Sequence, residues 1–212
     1  MQAQENIIDC YNKTAKNYSE KFVNELGHKH FDTLLLSAFA SENRDRGKLI
    51  DLGCGPGQTT KWLADCGWKN ILGVDLSSEM ITIAKNNYPL IDFETADMLR
   101  LPWPDKTFAA AIAFYSIVHF DYSRIDSAFR EIKRILSAGG QFLFSYHIGD
   151  KPVHLDEFRD HPVNIDFHFF ETKKILDIIT ATGFEIVDII EREHYPEEYA
   201  SKRGYIWLKN NQ

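Results

Sequence analysis

A chain of 212 residues with 44% hydrophobic and 26% charged side chains has the size and balance of one globular domain with room for a short appendage. Its net charge of −7 and its lack of a lysine or arginine cluster argue against DNA, bulk RNA or anionic membrane as partners, since these are bound through phosphate neutralisation. No apolar run approaches a membrane span and Met1 to Asp9 is polar, so cytoplasm is the expected compartment.

In chain order, Ile7, Tyr11, Ala15, Tyr18, Phe22 and Leu26 recur at steps of three and four, which marks one helical stripe. Phe31, Leu34, Leu35, Ala38 and Phe39 form a second stripe, with Gly27-His28-Lys29-His30 as the break between them. Residues 1–46 therefore read as a helical extension ahead of the first strand. From Lys48 the chain alternates strand and helix. Strands are expected at Lys48–Leu52, Ile71–Asp75, Asp92–Thr95, Phe108–Phe114 and Gln141–Tyr146. Helices are expected from Gln58 to Cys66, ended by Gly67, and from Glu79 to Asn87, capped by Ser77. A third, capped by Ser123, carries Ile125, Phe129, Ile132 and Leu136 and ends at Gly139-Gly140.

This alternation is the signature of a doubly wound, Rossmann-like α/β sheet. After a helix over Thr172–Thr182, Phe184–Glu191 and Gly204–Leu208 read as two strands with no helix between them, hence antiparallel. The chain is thus one domain: an N-terminal cap (1–46), a ligand-binding core (47–146), a connection acting as a substrate lid (147–170), and a C-terminal helix and β-hairpin (171–212).

The stretch Leu49-Ile50-Asp51-Leu52-Gly53-Cys54-Gly55-Pro56-Gly57 is a buried strand breaking into a glycine-rich turn before a helix. Bare glycines let a ligand lie against backbone amides, and an open parallel sheet binds ligands beyond the end of this strand. A dinucleotide fingerprint needs glycine at 58, where Gln58 stands, and Asp51 would repel a pyrophosphate. Asp75 at the tip of the second strand suits a ribose, and Asp97, flanked by Ala96 and Met98, suits an adenine rim. The implied ligand has an adenosine, a positive charge and no phosphate, which S-adenosyl-L-methionine satisfies.

These segments, with Gly73-Val74-Asp75-Leu76-Ser77, Thr95-Ala96-Asp97-Met98, Leu101-Pro102, Phe108 to His119 and Leu136-Ser137-Ala138-Gly139-Gly140, resemble the successive motifs of class I SAM-dependent methyltransferases. The resemblance runs from about Ile7 to the C-terminus. It implies the family's seven-stranded, mostly parallel sheet with an antiparallel C-terminal strand, and methyl transfer by in-line displacement that leaves S-adenosyl-L-homocysteine. It places Asp51, Gly53, Gly55 and Gly57 around the methionine part of the cofactor, Asp75 on the ribose, Ala96, Asp97 and Met98 at the adenine, and Cys54, Leu76 and Met80 among the cofactor-binding residues. Backbone near Ala113 and Phe114 approaches the ammonium group, and Tyr11 and Tyr18 reach the carboxylate from the cap. Ala109 departs from the family, where many members have aspartate.

A small-molecule methyl acceptor is expected, with Phe158, Phe167, Phe169 and Phe170 contributing an aromatic pocket. His119, His147 and Tyr115 are candidates for a general base, against the alternative that they are structural. His154, His161 and His168 are spaced by seven but interrupted by Pro162, and the unpatterned Cys10, Cys54 and Cys66 read as buried free thiols, so no metal site or disulfide is expected. A non-catalytic SAM-binding protein and, less favoured, a nucleotide-dependent dehydrogenase are the competing functions.

Overall fold

Short apolar runs separated by helices give central strands that are buried on both faces, and the structure, a computed structural model describing residues 2–211, sets them in the middle of one sheet. The N-terminal segment is α1 (Gln2–Phe22), a 3₁₀ turn (Glu25–His28) and α2 (His30–Asn43). The core follows as β1 (Leu49–Leu52), α3 (Gln58–Asp65), β2 (Ile71–Asp75), α4 (Ser78–Asn87), β3 (Asp92–Thr95) and β4 (Phe108–Phe114). After these come α5 (Tyr122–Ile135), β5 (Leu136–His147), β6 (Val153–Phe158), β7 (His161–Phe167), α6 (Thr172–Thr182), β8 (Glu185–Arg192) and β9 (Arg203–Lys209).

The main sheet has the order β3-β2-β1-β4-β5-β9-β8. The first five strands are parallel, whereas β9 runs antiparallel to both β5 and β8. Six strands therefore share one direction and β9 opposes them. The chain winds outward from β1 in both directions, so the gap between the tips of β1 and β4 is the topological switch point where such sheets bind ligands.

Helices cover both faces. α5 turns Ile125, Phe129 and Ile132 onto Phe142, Phe144 and Ile206, all fully buried. On the other face Leu36, Phe39 and Leu63 meet Leu49, Ile112 and Trp207. Truncating one such side chain to alanine typically costs about 2–5 kcal/mol.

Four local expectations are corrected. In α2 the inward face is Asp32, Leu35, Leu36, Phe39, Ala40 and Asn43, while Leu34 is 66% exposed and Ala38 is also outside. The stripe is displaced because two polar residues, which hydrophobic periodicity ignores, share the buried face. The cap of α5 is Asp121, whose carboxylate accepts from the Arg124 amide at 2.8 Å; Ser123 lies inside the first turn.

Helix α5 stops at Ile135, and Gly139-Gly140 belongs to β5. There the pairing with β4 slips, and a Cβ on Gly140 would stand 2.8 Å from the Ser137 carbonyl. The 147–170 connection is no open loop: β6 and β7 form a separate antiparallel hairpin packed on α1. Its alternation (Val153, Leu155; Ile165, Phe167) is a strand pattern, visually masked by the histidines and aspartates between.

Cys10 and Cys54 are buried, Cys66 is half-buried, and all three are free. His154 pairs with Asp166 at 2.8 Å on the exposed side of the hairpin, and among the described residues no group of acidic, thiol or imidazole ligands converges for a metal. No helix among them is long and apolar enough to cross a membrane.

Candidate active site

A cavity of about 620 Å³ opens at the switch point, within the ~300–1,000 Å³ usual for small-molecule sites. The glycine turn and the tips of β2, β3 and β4 form its floor, and α1 and the β6–β7 hairpin its cover. The segment between β8 and β9 closes the far end.

The turn is built differently from the amide cradle expected of it. The Gly53 and Cys54 amides both donate to the Val74 carbonyl, at 2.7 and 2.9 Å, and the Gly57 amide donates to the Cys54 carbonyl at 3.0 Å. The Gly55 amide donates to Asp75 Oδ2 at 2.9 Å. With its donors engaged, the turn is a poor anion nest and offers bare Cα surface instead. A Cβ at Gly53 would lie 2.3 Å from Ser116 Cβ. At Gly55, by contrast, it would project toward Tyr18 across the cavity, 3.9 Å from the ring.

Gly57 lies outside the lining. It starts α3 at φ +89°, and a Cβ there would stand 2.9 Å from Phe93. Ala113 is likewise not exposed to the cavity, being enclosed by its sheet neighbours, whereas Phe114 is.

Three carboxylates from consecutive strands face this space. Asp51 is 1% exposed, accepts from Thr60 Oγ1 at 2.6 Å, and is pushed up to about 7 by burial. A nearby positive charge would draw it back down. Asp75 accepts from the Gly55 and Ser77 amides, at 2.9 and 2.8 Å, and burial raises it too. Asp97 accepts from the Leu99 amide at 2.9 Å and from Gln4 Nε2 at 2.8 Å. Leu76, Met80, Ala96 and Met98 line the same end, with Cys54 beside the turn.

Gln4 stands seven residues before Tyr11 and fourteen before Tyr18 on one helix face, and that spacing is its one signal in the sequence. Asn12 of the same helix accepts from Ser77 Oγ at 2.7 Å, tying α1 to the start of α4.

Tyr11 and Tyr18 both line the cavity from α1, with ring centres 5.9 Å apart. The Tyr11 hydroxyl lies 2.8 Å from His119 Nε2, while His119 Nδ1 lies 2.9 Å from the Asp166 carbonyl. A carbonyl can only accept, so Nδ1 carries the proton and Nε2 accepts from Tyr11. Burial lowers His119 to about 4, leaving it neutral at pH 7.

His147 and Tyr115 face the far end. Burial and the charges of Arg203 and Lys29 lower His147 to about 3. It stacks on Phe169 with ring centres 5.2 Å apart. Tyr115 has φ +53°, and its hydroxyl donates to Asp32 at 3.1 Å and lies 2.7 Å from the Tyr205 hydroxyl. Burial and Asp32 hold that phenol well above its usual range, so it stays protonated. Asp32 itself is fully buried and pairs with Arg192 at 3.1 Å, which in turn holds Glu198 at 2.7 Å. This network joins α2 to the β8–β9 segment.

Comparison with known proteins agrees with the geometry. Residues 49–140 match the family model described as "Methyltransferase domain". An uncharacterized protein of Methanocaldococcus jannaschii is 27% identical over 207 residues, covering 85% of this chain and 77% of its own. An O-methyltransferase of Pyrenophora dematioidea is 26% identical and covers 69% of this chain, which spans 57% of that relative's length. Among solved structures, the magnesium protoporphyrin IX methyltransferase of Synechocystis PCC 6803 with bound SAM superposes with a TM-score of 0.75, over 99% of this chain and 98% of the other, at 15% identity. Residues 49–140 are thus similar to a methyltransferase domain, and the fold is that of solved SAM-dependent methyltransferases.

Proposed function

We propose that the chain transfers a methyl group from S-adenosyl-L-methionine to a small-molecule acceptor. The observation that carries this reading is the set of three carboxylates, Asp51, Asp75 and Asp97, at consecutive strand tips around one cavity, beside a glycine turn whose amides are already bonded. That chemistry suits an adenosine with a cationic tail and is unfavourable to a phosphate. The names of the relatives, methyltransferases among them, support the same class.

In this reading Asp75 takes the ribose hydroxyls on the lone pairs left by its two amide bonds. Asp97 and Gln4 meet the adenine, and Asp51 with the Gly53–Gly55 surface and Tyr18 surrounds the methionine end. When bound, the cofactor supplies a methyl group already activated on a sulfonium. The protein's own work is placement and exclusion of water, which can contribute on the order of 7–11 kcal/mol. α1 and the β6–β7 hairpin cover the site and keep it dry. Where the acceptor arrives protonated, His119 Nε2 receives its proton, because Nδ1 is held by backbone and only the Tyr11 hydroxyl competes for Nε2. Tyr115 and His147 shape the acceptor end without acting on protons.

The test is incubation with methyl-labelled SAM and a metabolite extract. Label in a small-molecule fraction is the expected result; label confined to protein or RNA overturns the acceptor class. A protein stabilised by NAD and indifferent to SAM would overturn the methyltransferase reading itself.

A further inference from the structure

Arg159 begins the two-residue turn joining β6 to β7, and both turn residues, Arg159 and Asp160, have positive φ, +54° and +65°. A type I′ hairpin turn requires this, and it favours asparagine and glycine. An arginine there adopts backbone angles that side chains resist. Its side chain points into the cavity.

The guanidinium carbon lies 4.7 Å from the ring centre of Phe22 and 5.0 Å from that of Phe158. Asn17 Nδ2 donates to the Arg159 carbonyl at 3.1 Å, fastening the turn to α1. The Nε–H is buried without a hydrogen-bond partner, and among the described residues no carboxylate pairs with the guanidinium. Lys21 also lines the cavity, its Nζ 6.0 Å from the centre of the same Phe22 ring, again with no acidic partner among those residues. Elsewhere in the lining, Lys29 is matched with Glu25 at 2.6 Å and Arg203 with Glu198 at 3.8 Å, while Arg124 lies 5.6 Å from the centre of the Phe120 ring.

We propose that Arg159, with Lys21 beside it, is a carboxylate clamp, and that the methyl acceptor is a carboxylate-bearing molecule with an apolar body lying along Phe22, Phe158 and Phe167. This rests on the methyltransferase reading above. Cation–π contact with two rings holds the guanidinium at the cavity wall, and its Nη–H groups, which are not among the buried unpaired atoms, can donate to a carboxylate. Position separates this group from the cofactor's own carboxylate. Tyr18 faces Gly55 and packs on Phe22 with ring centres 4.4 Å apart. Arg159, on the Phe22 and Phe158 rings, is one aromatic layer further from the turn.

The test uses calorimetry on the protein saturated with S-adenosylhomocysteine. The probes are acetate, benzoate, cinnamate and decanoate, each beside its neutral amide. At least one carboxylate is expected to bind about tenfold tighter than its amide, the size of a charge-assisted hydrogen bond. Arg159→Asn suits the turn better than arginine, so it keeps the fold, and it should erase that preference. Arg159→Lys should keep part of it, and S-adenosylhomocysteine affinity should stay within twofold in both variants. The clamp is overturned if no carboxylate outbinds its amide, if the preference survives in Arg159→Asn, or if that variant weakens S-adenosylhomocysteine tenfold. Should the wild-type protein not bind S-adenosylhomocysteine, the methyltransferase reading falls instead, and the same panel on the free protein still decides the clamp.

Discussion

The two ends of the cavity are built by different means. At the glycine-turn end, Asp51, Asp75 and Asp97 each stand at or just past the tip of a parallel strand, held by amides and one hydroxyl of the adjoining turns and helices, with Gln4 of α1 added at Asp97. At the far end, Asp32 of α2, Tyr115 just past β4, Arg192 of β8, Glu198 of the following segment and Tyr205 of β9 come together and satisfy one another. The first arrangement leaves acceptors open toward the cavity. The second closes on itself. Groups of the first kind are suited to binding, whereas those of the second hold the wall against which something is bound.

That contrast can be broken most directly at Gly55. Gly55→Leu pushes a side chain toward Tyr18 at a residue with φ +53°. It should weaken S-adenosylhomocysteine binding by about a thousandfold in calorimetry while far-UV circular dichroism stays native; unchanged affinity would remove the cofactor from this end.

Arg192→Met attacks the opposite end. It leaves Asp32 buried without its cation, a loss of about 3–5 kcal/mol, or roughly 10 °C in Tm for a chain of this size. Cofactor affinity should stay within twofold, and a matching loss of affinity would erase the distinction between the ends. Asp75→Asn should weaken S-adenosylhomocysteine by about 10–100-fold, as hydrogen bonds to a charged acceptor are lost.

A smaller effect is a pH dependence. Burial raises Asp51 to about 7, so its contribution to the stability of the free protein is present below its ordinary value near 4 and lost as pH rises toward 7. A cationic ligand prefers the ionised form. SAM affinity should therefore climb roughly tenfold between pH 5.5 and pH 8, then level off, and Asp51→Asn should flatten the profile. The smallest change in binding is expected of His119→Asn, which should leave S-adenosylhomocysteine affinity within twofold. If the acceptor loses a proton, that variant should lower kcat by about 10²–10⁴-fold.

How far such features are legible in sequence follows the same division. β2, β3 and β4 coincide with the segments expected of them, and Ser77 caps α4 as its position suggests, accepting from the Met80 amide. Gln4 carried a weak signal, its spacing from Tyr11 and Tyr18. The β6–β7 hairpin carried one in its alternation, but His154, Asp156 and Asp166 gave the stretch the look of a polar loop. Asp32 and Arg192 are 160 residues apart, and nothing local announces the pair. In α2 that hidden partnership is also why Leu34 faces solvent while Asp32 does not.

By itself the sequence determines the strand–helix alternation, the place of the glycine turn and the three acids that follow it, because each depends on residues within a few positions of one another. Tertiary structure alone decides that the turn's amides are occupied by Val74 and Asp75, that Tyr11 meets His119, and that Arg159 enters the cavity over Phe22. Those contacts join segments that meet only after the sheet has wound and α1 has packed on the hairpin. The carboxylates of the proposed cofactor site are thus written along the strands, and the shape of the proposed acceptor pocket is set by what closes over them.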